Sequence, residues 1–195
     1  MSQKSTHKVL VAVGGALIAA TWLYLVLVRP TDWESVGGST EALITLIGYV
    51  GGTLALLAGV LPTLPARTVA IIPVALILNI LIGQIVGSIG IPLYLDAVGT
   101  VLVAALAGPR AGLATGALSS VVWALFNPLA LPFAAGSALT GWLAGVAINK
   151  GAFRNIFLAF VSGAVLGLIT GAIAAPVAAF VYGGTAGVGA GALVC

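Results

Sequence analysis

Asp96 is the residue of this sequence whose chemistry is hardest to reconcile with its surroundings. It is the last acidic residue of the chain, and it stands between the apolar runs Gly90-Ile-Pro-Leu-Tyr-Leu and Ala97-Val-Gly-Thr. A carboxylate in apolar surroundings is unfavourable unless it faces water, a partner or a ligand. Asp96 therefore either belongs to a ligand site or caps the helix that follows, since Asp is a preferred N-cap residue. The residue pattern alone leaves both alternatives open.

Other polar and aromatic side chains are expected at the same end of the protein as Asp96. An apolar pocket with a few convergent polar groups is the usual way to hold a small polar molecule. For Trp123 an interfacial anchor is an equal alternative to ring stacking, and for Asn127 the alternative is a helix cap. The candidate substrate-binding residues are Gln84, Tyr94, Asp96, Trp123 and Asn127.

The composition of the chain predicts that lipid is its solvent. Of the 195 residues, 61% are hydrophobic and 6% are charged, and the mean hydropathy is +1.25. A soluble domain carries about a quarter charged residues, so this chain cannot cover its surface with polar groups. The net charge of +3 comes from scattered residues with no basic cluster, which argues against a nucleic-acid partner.

Apolar runs separated by polar turns predict an all-α transmembrane helix bundle of about seven spans. Runs of about 20 apolar residues are long enough to cross the hydrocarbon core. Ala192 to Cys195 resembles the start of another apolar helix, so we expect a truncated eighth span. The seven expected spans are, in order, 8–28, 41–61, 68–88, 97–107, 111–126, 133–148 and 155–182.

The distribution of charge predicts the orientation of the bundle. If the N-terminus is cytoplasmic and each span crosses once, six of the seven basic residues fall inside and all four acidic residues fall outside. This is the asymmetry that the positive-inside rule describes. We therefore expect a multi-pass membrane protein with a cytoplasmic N-terminus.

The residue types needed for catalysis or metal binding are scarce. Cys195 and His7 are the only cysteine and histidine, so we expect no disulfide and no metal site within the chain. An intramembrane enzyme needs a nucleophile with a base, or paired acids, and Ser119 and Ser120 have no base in sight. The sequence also has no Gly-x-x-x-x-Gly-Lys-Ser/Thr phosphate loop. We expect a protein that is not an enzyme and needs no cofactor.

Three segments carry a family resemblance: Ala75-Leu-Ile-Leu-Asn-Ile-Leu-Ile-Gly-Gln, Gly90-Ile-Pro-Leu-Tyr-Leu-Asp-Ala-Val-Gly-Thr and Ala107-Gly-Pro-Arg-Ala-Gly-Leu-Ala-Thr-Gly-Ala-Leu-Ser-Ser. Together they resemble the substrate-binding S components of energy-coupling factor (ECF) vitamin transporters. The resemblance covers 67–195, and it implies five helices and the start of a sixth from the six-helix core of that family. Residues 1–66 would then form two additional N-terminal helices.

The resemblance implies a function and its partners. An S component binds a vitamin or related micronutrient from outside a bacterial cell membrane, and it delivers this cargo inward with a transmembrane coupling protein and two cytoplasmic ATPase subunits. The family's substrate-gating loop maps onto 88–96, which implies Tyr94 and Asp96 as ligand contacts. Its Ala-x-x-x-Ala docking face maps onto Ala75 and Asn79, with Gly83 one turn further, and the chain departs from that pattern at Asn79.

Two other functions remain as alternatives. The chain could be the N-terminal ligand-sensing membrane region of a bacterial signalling protein, such as a histidine kinase or phosphatase, and the two additional helices favour this reading. An intramembrane protease or lipid-processing enzyme is a weaker alternative, because the core offers one acidic residue and no histidine.

Overall fold

The computed structural model describes residues 3–30, 38–89 and 96–181, and within them it is all-helical with no strand. This confirms the predicted all-α bundle. A short 3₁₀ turn at Leu61–Thr63 follows the second helix, and another at Pro128–Phe133 precedes the sixth. The helices are α1 (Gln3–Val28), α2 (Thr40–Val60), α3 (Ala66–Ile89), α4 (Val98–Ala107), α5 (Pro109–Trp123), α6 (Ala134–Asn149) and α7 (Ile156–Val181).

Five of the helices in the described residues are long and apolar enough to cross a membrane: α1, α2, α3, α6 with its preceding turn, and α7. The fourth and fifth expected spans form helices at the predicted places, but they are short. With 10 and 15 residues, α4 and α5 are about 15 and 22 Å long, against a hydrocarbon core of about 30 Å. The expected eighth span lies outside the described residues.

The short helices α4 and α5 nevertheless form a hairpin that extends almost to one end of the bundle. Gly108 follows the end of α4 with a φ of 85°, and Pro109 begins α5. Glycine is favoured just after a helix and proline at the first position of one. A Cβ on Gly145 would lie 2.5 Å from Pro109 Cα, so the hairpin tip packs one turn from the end of α6. We call this the Lys150 end of the bundle, and the opposite end the Asp96 end.

Charged residues are segregated between the two ends. The two described acidic residues, Glu41 and Asp96, both lie at the Asp96 end, where α2 and α4 begin. Arg29, just after α1, is the one described cation at that end. The cations at the Lys150 end whose side chains the structure describes are Lys8, Arg67, Arg110, Lys150 and Arg154.

Helix α5 lies at the centre of the bundle, where it packs against α2, α3, α4 and α6. Eight of its fifteen residues are buried, and all eight are Ala, Gly, Ser or Thr. Such small side chains let helix backbones approach closely in a membrane. A Cβ on Gly112 would clash with the carbonyl oxygen of Gly141, and one on Gly116 with that of Ser137. The faces of α5 and α6 that carry small residues thus pack against each other.

The first two helices are attached to the rest of the bundle by side-chain hydrogen bonds. Tyr49 on α2 is fully buried, and its hydroxyl donates to the carbonyl oxygen of Pro132 over 3.2 Å. Trp22 Nε1 on α1 donates to the carbonyl oxygen of Ile173 over 3.0 Å. The division of the chain at 66/67 stays a prediction, but α1 and α2 pack as part of one bundle.

Substitution of Gly116 by alanine should destabilise the bundle, because the new methyl group would press on the α6 backbone at Ser137. Overpacking of this kind typically costs about 1–3 kcal/mol. The matched control is Gly163→Ala on α7, where nothing lies within 4 Å of an added Cβ. Thermal unfolding in detergent, followed by far-ultraviolet circular dichroism, should separate the two variants. Equal midpoints would contradict the close α5–α6 packing.

Candidate functional site

Three helices, α3, α4 and α5, meet near the Asp96 end in two layers that are one helical turn apart. Each of the three chain segments contributes one residue to each layer. The two residues are four positions apart in the chain, which corresponds to about 6 Å along a helix. The polar layer consists of Asn79, Thr100 and Ser119, and the tryptophan layer consists of Gly83, Asp96 and Trp123.

Asn79 is the centre of the polar layer, and its amide is fully hydrogen-bonded. It has no exposed surface. Its Nδ2 donates to Thr100 Oγ1 over 2.8 Å and to Ser119 Oγ over 3.1 Å. Its Oδ1 accepts from the backbone N–H of Gly99 over 2.7 Å and, more weakly, from that of Thr100 over 3.4 Å. Both donors and both lone pairs of the amide are therefore used, as a buried amide requires.

The oxygen of Asn79 acts as the N-terminal cap of α4 from a different helix. The N-cap residue of α4 is Ala97, which makes no side-chain cap hydrogen bond. The N–H groups of Gly99 and Thr100 belong to the first turn, where intrahelical partners are missing. Asn79 supplies the missing acceptor. Asp96 is therefore not the N-cap residue of α4, as one of the two alternatives for this residue had predicted.

Of the three residues predicted to dock a partner, two are buried inside this chain and Gly83 is half-buried. Ala75 and Asn79 have no exposed surface, and a Cβ on Gly99 would clash with the carbonyl oxygen of Ala75. Gly83 is covered by Trp123. Ala75, Asn79 and Gly83 do share one helix face, as expected, but that face packs on α4 and α5. In this arrangement Ala75 and Asn79 offer no docking surface, because their contacts are already made within the chain.

In the tryptophan layer, Asp96 and Trp123 meet over Gly83. A Cβ on Gly83 would lie 2.7 Å from Cη2 of Trp123 and 3.1 Å from Cβ of Asp96. Glycine at this point of α3 leaves room for both side chains, and an added Cβ would have to displace the far end of the Trp123 ring. Trp123 therefore packs within the bundle rather than standing alone as an interfacial anchor.

The indole N–H of Trp123 is available for a further hydrogen bond. Nε1 is buried, and it has no hydrogen-bond partner among the residues that the structure describes. A buried tryptophan N–H usually finds a partner. The tryptophan layer thus combines a free donor, an aromatic ring and the carboxylate of Asp96.

Asp96 lies in the turn before α4 and is partly buried. Removal from water raises the pKa of its carboxyl group above the ordinary value, because burial penalises the charged form; a hydrogen bond from its own backbone opposes this effect more weakly.

The remaining candidates are placed differently. Gln84 is exposed on α3, next to Gly83 in the chain but turned away from the layer. Asn127 Oδ1 accepts from the backbone N–H of Leu129 over 3.2 Å, so this side chain caps the 3₁₀ turn before α6. Tyr94 lies outside the described residues. Of the five predicted site residues, the structure brings Asp96 and Trp123 together.

Asn79 is the site-forming residue whose role sequence reasoning missed. Its signal in the sequence is an amide flanked by apolar residues in the middle of α3. Within the described ranges, no group of three or more His, Cys, Asp or Glu side chains could hold a metal ion. Comparison of the chain with models of protein families, with curated proteins and with solved structures gave no match.

Replacement of Asn79 by leucine, which has a similar size, should loosen the start of α4. The change removes the acceptor of Gly99 and Thr100 and leaves the hydroxyls of Thr100 and Ser119 without their donor. Each buried polar group left unsatisfied costs about 1–3 kcal/mol. Hydrogen–deuterium exchange of peptides covering 98–107 should become faster. Gln84→Leu, at an exposed amide of the same helix, is the control, and unchanged exchange in Asn79→Leu would refute the capping role.

The stability of the ligand-free protein should depend on pH through Asp96. Because its pKa is raised on folding, the folded state binds the proton more tightly than the unfolded state does. Stability should therefore fall as the pH rises from about 3.9, the ordinary pKa of aspartate, through the raised value. Unfolding midpoints between pH 4 and 7 should show this fall in the wild type and in Glu41→Gln, but a smaller one in Asp96→Asn. Equal slopes in all three proteins would contradict the prediction.

Proposed function

We propose that the chain is the membrane-embedded substrate-binding subunit of an ECF-type importer, which captures a vitamin or related micronutrient. The observation that carries this proposal is the meeting of Asp96 and Trp123 over Gly83, with a buried indole N–H that no described residue accepts. An acceptor, a donor and an aromatic ring in one place suit a flat, polar heterocycle. The carboxylate favours a ligand that presents ring N–H groups or a cationic group.

The polar layer, one helical turn nearer the Lys150 end, fixes the backbone that carries this site. Asn79 fixes the start of α4 through Gly99, three residues after Asp96. Ser119, which accepts from Asn79, lies one turn before Trp123 on α5. The two ligand-binding side chains thus stand on backbone segments that one buried amide holds together. A site whose side chains stand on fixed backbone segments loses less conformational entropy when it binds its ligand.

The segregation of charge supports the orientation that this function needs. Five cations whose side chains the structure describes lie at the Lys150 end, and the two described acidic residues lie at the Asp96 end. By the positive-inside rule, the Lys150 end and the N-terminus would be cytoplasmic in a bacterial plasma membrane. The Asp96 site would then open to the outside, where a nutrient is captured.

The energy for inward delivery would come from partners. The sequence has no phosphate-binding loop of the Walker type, so we assign ATP hydrolysis to two cytoplasmic ATPase subunits that act through a transmembrane coupling protein. Because Ala75 and Asn79 are buried, the coupling protein would contact another surface of the bundle.

Native mass spectrometry of the full-length protein, purified gently from its own host, should show a co-purified small molecule with the mass of a vitamin-like compound. Asp96→Asn should lower its occupancy about tenfold or more, since a hydrogen bond to a charged group contributes about 1.5–3 kcal/mol, and Trp123→Phe should lower it about fivefold, since a neutral hydrogen bond contributes about 1 kcal/mol. The matched controls are Glu41→Gln and Trp142→Phe, which change an acidic residue and a tryptophan outside the site.

Two outcomes would contradict this proposal. If the ligand remains bound in both site variants while they fold normally, the site lies elsewhere in the protein. If the wild type is empty and the host's full-length protein carries a soluble kinase or phosphatase domain, the sensing function replaces the transport function.

A further inference from the structure

The turn between α6 and α7 encloses a shallow recess at the Lys150 end. Its volume is about 390 Å³. Two of its lining residues are cations, and α6 and α7 on either side are both candidate membrane spans. The recess therefore lies where the bundle meets the membrane surface. Its lining residues are Ile148, Asn149, Lys150, Gly151, Phe153 and Arg154.

The backbone of the turn holds Arg154 in place beside Lys150. Gly151 has a φ of 88°, in the left-handed region that favours glycine, and its N–H donates to the carbonyl oxygen of Ile148 over 2.9 Å. A Cβ on Gly151 would lie 3.0 Å from Cδ and 3.1 Å from Nε of Arg154. The arginine side chain thus lies across the glycine, folded back over the turn instead of extending freely from it.

The two cations have no carboxylate near them among the described residues. The only acidic residues that the structure describes are Glu41 and Asp96, and both lie at the opposite end of the bundle. Lys150 and Arg154 are exposed, and their positive charges add in the same recess. An anion would compensate both charges at once.

Large apolar side chains adjoin the cations. Phe153 is 60% exposed, and Ile156 and Phe157, at the start of α7, are 90% and 71% exposed. A free anion such as phosphate would contact the cations but not these apolar side chains. A phospholipid can contact both, because its phosphodiester is anionic and its acyl chains are apolar.

We propose that this recess binds the headgroup of an anionic phospholipid. The phosphodiester contacts Lys150 and the guanidinium of Arg154, which can donate two parallel hydrogen bonds to phosphate oxygens. The upper part of the acyl chains lies along Phe153 and Phe157. This site is at the opposite end of the bundle from Asp96 and does not depend on the proposed transport function.

Native mass spectrometry of the full chain tests this site directly. The protein in detergent is mixed with equal amounts of phosphatidylglycerol and phosphatidylcholine, and the bound fractions are compared. Wild type should retain phosphatidylglycerol preferentially. Lys150→Gln and Arg154→Gln should each lower that preference about fivefold, as expected for one cation near an anionic headgroup, and the double variant should abolish it.

Arg110→Gln is the matched control, because Arg110 is an exposed cation at the same end of the bundle but outside the recess. Its lipid preference should equal that of the wild type. An equal loss in Arg110→Gln would show that the net charge of this end, and not the recess, selects the lipid. Displacement of the lipid by millimolar inorganic phosphate would overturn the lipid assignment in favour of a free phosphate. Equal retention of the two lipids by the wild type would also refute it.

Discussion

The buried amide of Asn79 is the interaction on which the Asp96 end of the bundle depends. In a membrane every backbone polar group has to be satisfied within the protein, because lipid offers no hydrogen bonds. Helix α4 begins inside the bundle against α3 and α5, and its first N–H groups have no partner of their own. Asn79 satisfies them and, through its nitrogen, holds Thr100 and Ser119. One side chain therefore joins three helices that otherwise present only apolar or small surfaces to one another.

The small residues of α5 make this junction possible. Glycine at 112 and 116 brings α6 into backbone contact, and the buried Ala, Ser and Thr side chains leave space for three further helices to approach. The consequence is a central helix that is shorter and more polar than a membrane span. Such a helix is stable in lipid only when it is surrounded by longer apolar helices. Trp123, at the end of this helix, and Asp96, in the turn before α4, then lie half-buried beside Gly83.

The helices can be predicted well from the sequence, and the residues of the candidate site can be predicted only in part, for a physical reason. Apolar runs and Gly/Pro turns fix helix positions locally: the third span, expected at 68–88, is observed at Ala66–Ile89. Asp96 stands out in the sequence because a carboxylate is costly in lipid unless it has a role, and the structure brings it together with Trp123 over Gly83. Helical spacing also showed that Ala75, Asn79 and Gly83 share a face, but not that this face points inward. The cap on α4 could not be predicted, since its donor and acceptor are 20 residues apart in the chain and meet only after the helices pack.

The two layers also bear on how a ligand would leave the site. Below Trp123 and Asp96 lies the polar layer, in which the amide of Asn79 has used all its hydrogen-bonding capacity. At the same level, Gly99 packs directly on the backbone of Ala75. A ligand at Asp96 could pass toward the Lys150 end only if α4 separated from α3, which would leave the buried amide and the first turn of α4 unsatisfied in lipid. Movement of a ligand between these helices is therefore costly, whereas a change in the position of the whole bundle would leave the junction intact.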